Sequence, residues 1–208
     1  MRKPKLRELL EAVKAVVRGP VTTKFPFEPY VPPEAFRGKP KFFKDDCIGC
    51  CACAQVCPSC VIDVVDDPKA QPPVRRLVLH YDACIFCGQC ALYCTTEKGI
   101  RMTGEYDLAT FDSKSCLETV EKELVLCEVC RAVLGARDHL LWVAERLGAK
   151  RYANPTLILL AEGELGLVGP RPEARLEETA GPVSRGDTMR VLCPKCRRAA
   201  VLREAWGA

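Results

Sequence analysis

Long apolar runs are missing from this 208-residue sequence. The longest aliphatic stretch, Thr156 to Ala161, falls far below the roughly 20 residues that cross a bilayer, which argues against a helical span. The N-terminal stretch is charged and has no apolar h-region, so no secretory leader is expected. Only two histidines are present, His80 and His139, and neither has a ligand-like neighbour in sequence, so both are expected to be structural. Asn154 is the one asparagine, and there are three glutamines. There is no nucleophile–base pair and no nucleotide-binding glycine motif, which argues against a substrate-converting site in the chain itself.

Cysteine, by contrast, is abundant: there are 15. In a chain with no expected export signal, that number points to metal ligation in the cytoplasm and not to disulfides. Eight of them form two near-copies of C-x2-C-x2-C-x3-C. The first is Cys47, Cys50, Cys53 and Cys57, followed by Pro58; the second is Cys84, Cys87, Cys90 and Cys94. Three thiolates in so tight a loop can cap three irons of a cubane but cannot reach the fourth, so in two-cluster ferredoxins the last cysteine of each run ligates the other cluster. The expected sets are Cys47, Cys50, Cys53 and Cys94 on one [4Fe–4S] cluster, and Cys84, Cys87, Cys90 and Cys57 on the second. Zinc sites use paired knuckles and not a triple knuckle with a trailing cysteine.

Four more cysteines form two C-x2-C knuckles, Cys127/Cys130 and Cys193/Cys196, each entered from a β-like tetrapeptide (123–126 and 189–192). Two such turns aim four sulfurs at one tetrahedral ion. The separation exceeds the 15–20 residues of a simple zinc ribbon, which a helical insert explains. Zn2+ is favoured, mononuclear iron suits the same ligands, and two unrelated reduced pairs are the remaining alternative. Cys51, Cys60 and Cys116 are expected to be non-ligands, with Cys60 a reserve ligand should Cys57 be unavailable.

The net charge of +4 conceals an asymmetry. Residues 1–44 hold 11 basic and 4 acidic side chains, and the remainder 20 and 23. Apolar residues Leu6, Leu9, Leu10, Val13, Val16 and Val17 recur at helical spacing between Pro4 and Gly19-Pro20, opposite Lys3, Lys5, Arg7, Lys14 and Arg18. Such a basic amphipathic helix suits an anionic membrane surface, or docking on a partner or on the chain's own core. From Gly19 to Pro40 the X-Pro steps predict an extended arm that drapes over another surface.

Strands are expected at 61–65 and 76–81, with a turn-rich connector between them. Asp112 is expected to cap a helix through Val120, Asp138 a helix over His139–Leu147, and Asn154-Pro155 to open a short apolar element. Residues 162–188 read as a long mobile loop. The expected organisation is α+β: a helix and docking arm over 1–40, a two-cluster ferredoxin-like core over 41–111, and a four-cysteine metal ribbon with a helical insert over 112–208.

These features together resemble subunit 6 of formate hydrogenlyase and its hydrogenase-4 relatives, related in turn to the two-cluster ferredoxin subunit of complex I. The resemblance rests on Pro26-Phe-Glu-Pro29, Phe36-Arg-Gly-Lys-Pro40, both cysteine runs, Glu105-Tyr-Asp-Leu-Ala109 and the distal knuckles. It spans nearly the whole chain, and the knuckle pair tips it toward the hydrogenase branch. One departure stands out, because the second run ends Cys94-Thr95 where the family often has Cys-Pro; no ligand is lost. The resemblance implies an electron relay between a formate- or ferredoxin-linked donor module and the cluster subunit beside a [NiFe] hydrogenase site, peripheral on the inner face of the membrane. A complex I-type subunit is the nearest alternative. A stand-alone ferredoxin and a four-cysteine-ribbon nucleic-acid module are rivals of other classes, the latter disfavoured because the basic residues gather in the N-terminal helix and not around the ribbon.

Overall fold

The computed structural model describes residues 5–20, 22–165 and 188–206. Residues 1–36 and 37–208 form two units. The first contains helix α1 (Leu6–Arg18), opened by a hydrogen bond from the Lys5 N–H to the Glu8 carboxylate and closed at Gly19. Within this unit none of the helix residues is buried. Pro4 and Lys3 lie outside the described residues.

In the second unit the elements follow in order as β1 (Pro40–Phe42), α2 (Ala52–Gln55), β2 (Ile62–Asp67), β3 (Val74–His80), α3 (Gln89–Leu92), β4 (Ile100–Met102), β5 (Leu117–Leu126), β6 (Val133–Ala136), α4 (Arg137–Leu147), α5 (Pro155–Glu164) and α6 (Pro194–Trp206). The fold is a mixed one of helices and antiparallel sheet. Strands β1 and β4 pair as a two-stranded sheet, and β2-β3-β5-β6 form a four-stranded one. Side chains alternate across a strand, and this sorts the faces. Leu77 and Leu79 of β3 and Val120 of β5 point into a core with Phe42, Val61, Ile62, Tyr81 and Ile100. Burying each such aliphatic side chain contributes about 2 kcal/mol. The buried Tyr81 hydroxyl donates to the Pro40 carbonyl at 2.6 Å, tying β1 to this core.

The stretch after Asp112 departs from expectation. Asp112 caps only a 3-10 turn over Ser113–Cys116, accepting from the Lys114 N–H; residues 117–126 are strand β5 and not helix. The cause is visible in the sequence 117–126, where buried positions alternate with period two and not 3.6, and β3 supplies a full antiparallel register. Asp138 lies in the first turn of α4 and its carboxylate pairs with Lys122, so Ala136 takes the capping position. Asn154 caps α5 as expected, accepting from the Thr156 N–H. Residues 162–164 belong to α5; most of the expected 162–188 loop lies outside the described residues. Because β5 adds directly to β3, hydrogen-bonded pairing runs across the 111/112 division.

Candidate metal centres

The two cysteine runs fold alike because each needs left-handed backbone at the same places. Gly49 and Cys51 have positive φ in the first run, Phe86 and Gly88 in the second, and Cys60 and Glu97 repeat the pattern three residues beyond the last cysteine. Each run therefore uses one glycine, at opposite positions. Short helices α2 and α3 follow and carry the third cysteine of each run inward, with Cys53 and Cys90 both buried.

A cavity of about 300 Å3, partly open to solvent, is lined by Cys47, Cys50, Cys53 and Cys94 with Phe42, Leu77 and Ile100. A second, of about 330 Å3, is lined by Cys57, Cys84, Cys87 and Cys90 with Val61, Leu79 and Phe86. Each cavity thus takes three thiols from one run and the last thiol of the other. Cys51 also lines the first cavity, whereas Cys60 is exposed and faces the Cys57 carbonyl at 3.7 Å. Four thiols with apolar walls suit a group held through sulfur and shielded from water. Burial pushes the Cys53 thiol up to about 12 and the Cys90 thiol to about 11, with neighbouring cysteines adding to the shift at both.

Polar groups unnoticed at the level of motifs surround the first cavity. The Thr95 hydroxyl lies 3.1 Å from the Cys50 sulfur. Thr96 donates to the Asp46 carbonyl at 2.9 Å, which fixes the turn after Cys94. Burial would raise the Cys94 thiol, but its contact with the Thr96 hydroxyl at 3.5 Å and hydrogen bonds from the N–H groups of Ile100, Thr96 and Gly99 bring it below its ordinary value. Arg75 holds Asp66 in a two-point contact at 2.7 and 2.8 Å and donates to the Gly49 carbonyl at 3.1 Å. His80 meets Asp63 at 3.0 Å, and His139 lies in the first turn of α4 beside Trp142, at a ring separation of 6.4 Å.

The third cluster of thiols is tighter. Cys127, Cys130, Cys193 and Cys196 place their sulfurs within 4.8 Å of one another, which among the described residues no other such set does. Cys130 and Cys193 are 3.6 Å apart, close to the ~3.8 Å edge of a tetrahedron with 2.3 Å metal–sulfur bonds. This donor set fits one tetrahedral ion. The first knuckle is the turn of the β5–β6 hairpin. The second is entered from a 3-10 turn and extended chain at 188–193 and not from a strand, and it leads straight into α6. What joins the halves is Glu128: its carboxylate accepts from Arg190 at 2.9 Å and from the Val191 N–H, while its own N–H donates to the Val191 carbonyl. Behind them the Arg197 guanidinium reaches the Thr156 hydroxyl at 2.8 Å and the Thr188 carbonyl at 2.6 Å. Burial works against ionisation of Cys127, but the N–H groups of Cys130, Cys193 and Val129 outweigh it and bring that thiol down to about 6. The neighbouring thiols shift the other way, Cys196 pushed up to about 12 by burial and by its hydrogen bonds with the other three cysteines and Cys130 raised as well. Before an ion is bound the site therefore favours one thiolate, at Cys127.

Comparison with known proteins adds a second line of observation. No family model matches the sequence. The chain is 33% identical over 144 residues to formate hydrogenlyase subunit 6 of Escherichia coli, covering 68% of this chain and 78% of that protein. It is 30% identical over 127 residues to NADH-quinone oxidoreductase subunit I 2 of Geobacter metallireducens, covering 58% of this chain and 96% of that protein. It is 34% identical over 121 residues to NAD(P)H-quinone oxidoreductase subunit I of Gloeobacter violaceus, covering 51% of this chain and spanning 57% of that relative's length.

Proposed function

The chain belongs to the family that includes formate hydrogenlyase subunit 6 and NADH-quinone oxidoreductase subunit I, and from that premise we propose that it relays single electrons through two [4Fe–4S] clusters within a membrane-associated oxidoreductase complex. The observation that carries this reading is the pairing of cavities, each lined by four cysteines drawn from both runs. We assign Cys47, Cys50, Cys53 and Cys94 to one cluster and Cys84, Cys87, Cys90 and Cys57 to the other. A cysteine-ligated [4Fe–4S] cluster, when bound, takes up and gives back one electron at a time. The chain's own part is to hold the two groups side by side in apolar walls, with Cys53 of one set within electrostatic reach of Cys90 of the other.

Cys127, Cys130, Cys193 and Cys196 are assigned to one structural Zn2+, with mononuclear iron the other ion that four thiolates accept. Residues 1–40 are assigned to docking against neighbouring subunits, 41–111 to the two clusters and 112–208 to the ribbon. No helix among the described residues is long and apolar enough to cross a membrane, so attachment is assigned to partner subunits. The [NiFe] hydrogenase branch is the first reading, supported by the distal thiol site and by a similarity to formate hydrogenlyase subunit 6 that extends over 68% of the chain. A quinone-oxidoreductase complex is the second, supported by the subunit I relatives.

Iron and sulfide analysis with EPR on the anaerobically purified full chain tests the relay. About eight irons and two interacting S = 1/2 signals after reduction are expected from two cubanes. Four or fewer irons in fully loaded protein would overturn the two-cluster assignment. A ninth iron with a high-spin ferric signal would place iron in the distal site.

A further inference from the structure

Two side chains on the inner face of the sheet are unlike their neighbours. Along β3, Arg75 shares a face with Leu77 and Leu79, and along β5, Lys122 shares a face with Val120, Leu124 and Leu126. The register sets Arg75 directly opposite Lys122. Like charges in directly opposed positions are destabilising, yet both side chains are largely removed from water, at 14% and 10% exposure. Each has an acid partner, Asp66 and Asp138, but these are the more exposed members of their pairs, at 28% and 45%. Water therefore screens the acids more than the bases.

Both side chains abut the first cysteine run. Arg75 donates to the Gly49 carbonyl, and a Cβ built on Gly49 would come within 3.1 Å of the Lys122 Cβ. The stem of Lys122 thus rises beside the run while its ammonium pairs with Asp138, within electrostatic reach of Cys47. The Thr95 hydroxyl reaches the Cys50 sulfur in the same cavity. A sulfur bound to iron has no proton, so in the loaded protein Thr95 must be the donor. The second run is treated differently. Pro58 follows Cys57 as Thr95 follows Cys94 and has no hydroxyl to offer, and the exposed Arg37 donates to the Cys87 carbonyl at 3.2 Å. Cluster potentials are set by local charge, hydrogen bonds to sulfur and solvent exposure.

We propose that Arg75, Lys122 and Thr95 make the first cavity the better place for an added electron, so that a cluster on Cys47, Cys50, Cys53 and Cys94 has the higher reduction potential of the two. This rests on the relay reading. The change concerned is the gain of one electron from a one-electron donor, with no bond made or broken and Thr95 keeping its proton. In the singly reduced chain the electron resides in the first cavity, and the second is the site that passes it on only after a further electron arrives or an acceptor draws it out.

The test is an EPR-monitored redox titration of the iron-loaded full chain with dithionite, with Cys87→Ser marking the second-cluster signal. The first cluster should reduce first. Thr95→Val should lower its midpoint and leave the other in place, and Thr95→Ser should restore it. Lys122→Met should lower the same midpoint while thermal stability holds or rises, because the opposed like charges are relieved. For one electron, each tenfold change in the partition between the cavities is a 59 mV shift. Eight irons with equal midpoints, a second cluster that reduces first, or a Lys122→Met chain that loses stability without a selective shift would each overturn the proposal and leave the relay intact. Four or fewer irons would instead overturn the relay itself.

Discussion

The two-run core and the four-thiol ribbon gather their sulfurs by different means. In the core, every thiol of a run lies within a dozen residues of the others, and the loop's own backbone aims them. Left-handed turns at equivalent positions in both runs do most of the positioning. In the ribbon, the two halves are separated by two helices and a long segment, and no local geometry brings Cys193 to Cys127. There the work falls to residues that are not ligands: Glu128 clasps Arg190 and Val191, and Thr156 with Arg197 braces the second knuckle against α5. A site built from local turns is carried by its spacing, whereas a site built from distant halves depends on a hydrogen-bonded frame.

The largest effects break each region at a ligand. Cys94→Ala should remove about half of the iron, from the cluster capped by Cys47, Cys50 and Cys53 and not from the loop that Cys94 belongs to. Loss of the Cys84, Cys87, Cys90 signal in its place would sink the crossed assignment. Cys127→Ala should release the distal ion and destabilise the C-terminal region by about 4 kcal/mol, as loss of a structural metal does. Both cubane EPR signals should persist in the chain that remains folded, and their disappearance would show that the two regions are not separable.

A smaller effect probes the frame alone. Thr156→Val removes the hydroxyl that accepts from Arg197 and donates to the Leu192 carbonyl at 3.3 Å. Leaving a buried partner unmet costs about 1–3 kcal/mol. The chain should bind its distal ion more weakly in a chelator competition while iron content is unchanged. Equal affinity in the variant would mean that the four thiols close the ribbon without help.

How much of this is legible in the sequence follows the same division. The cysteine spacing indicates which eight thiols belong together, and β2, β3, α1 and α5 follow from apolar period and capping residues. Strand β5 is misread because a lone Asp112 suggests a cap, while the alternation of Val120, Lys122, Leu124 and Leu126 becomes meaningful only beside β3. Thr95 is visible as a missing proline, but its hydroxyl matters through Cys50, 45 residues away in sequence. Glu128, Thr156 and Arg197 carry no motif at all. Their roles arise from pairings across more than 40 residues, which composition and period cannot express.

The smallest effect compares glycines in the two runs. Gly49 has φ +67 and Gly88 φ +79, and any L-residue there pays about 1 kcal/mol for left-handed backbone. That cost is evidently bearable, since Phe86 occupies the equivalent of Gly49, and Cys51 the equivalent of Gly88, with positive φ. The two sites differ in space. A Cβ at Gly49 would lie 3.0 Å from the Ala136 Cβ and 3.1 Å from the Lys122 Cβ, whereas at Gly88 the nearest atom is the Arg37 Cδ at 3.7 Å. Gly49→Ala should therefore add about 1–2 kcal/mol of overpacking to the backbone cost, and Gly88→Ala should add none. Thermal bleaching of the visible iron–sulfur absorption reads the difference, with Gly49→Ala melting lower. The crowding comes from β5 and β6, so this gap measures how closely the strands beyond residue 111 are pressed onto the first cysteine run. Equal midpoints would mean that those strands yield, and that only the left-handed backbone distinguishes either glycine.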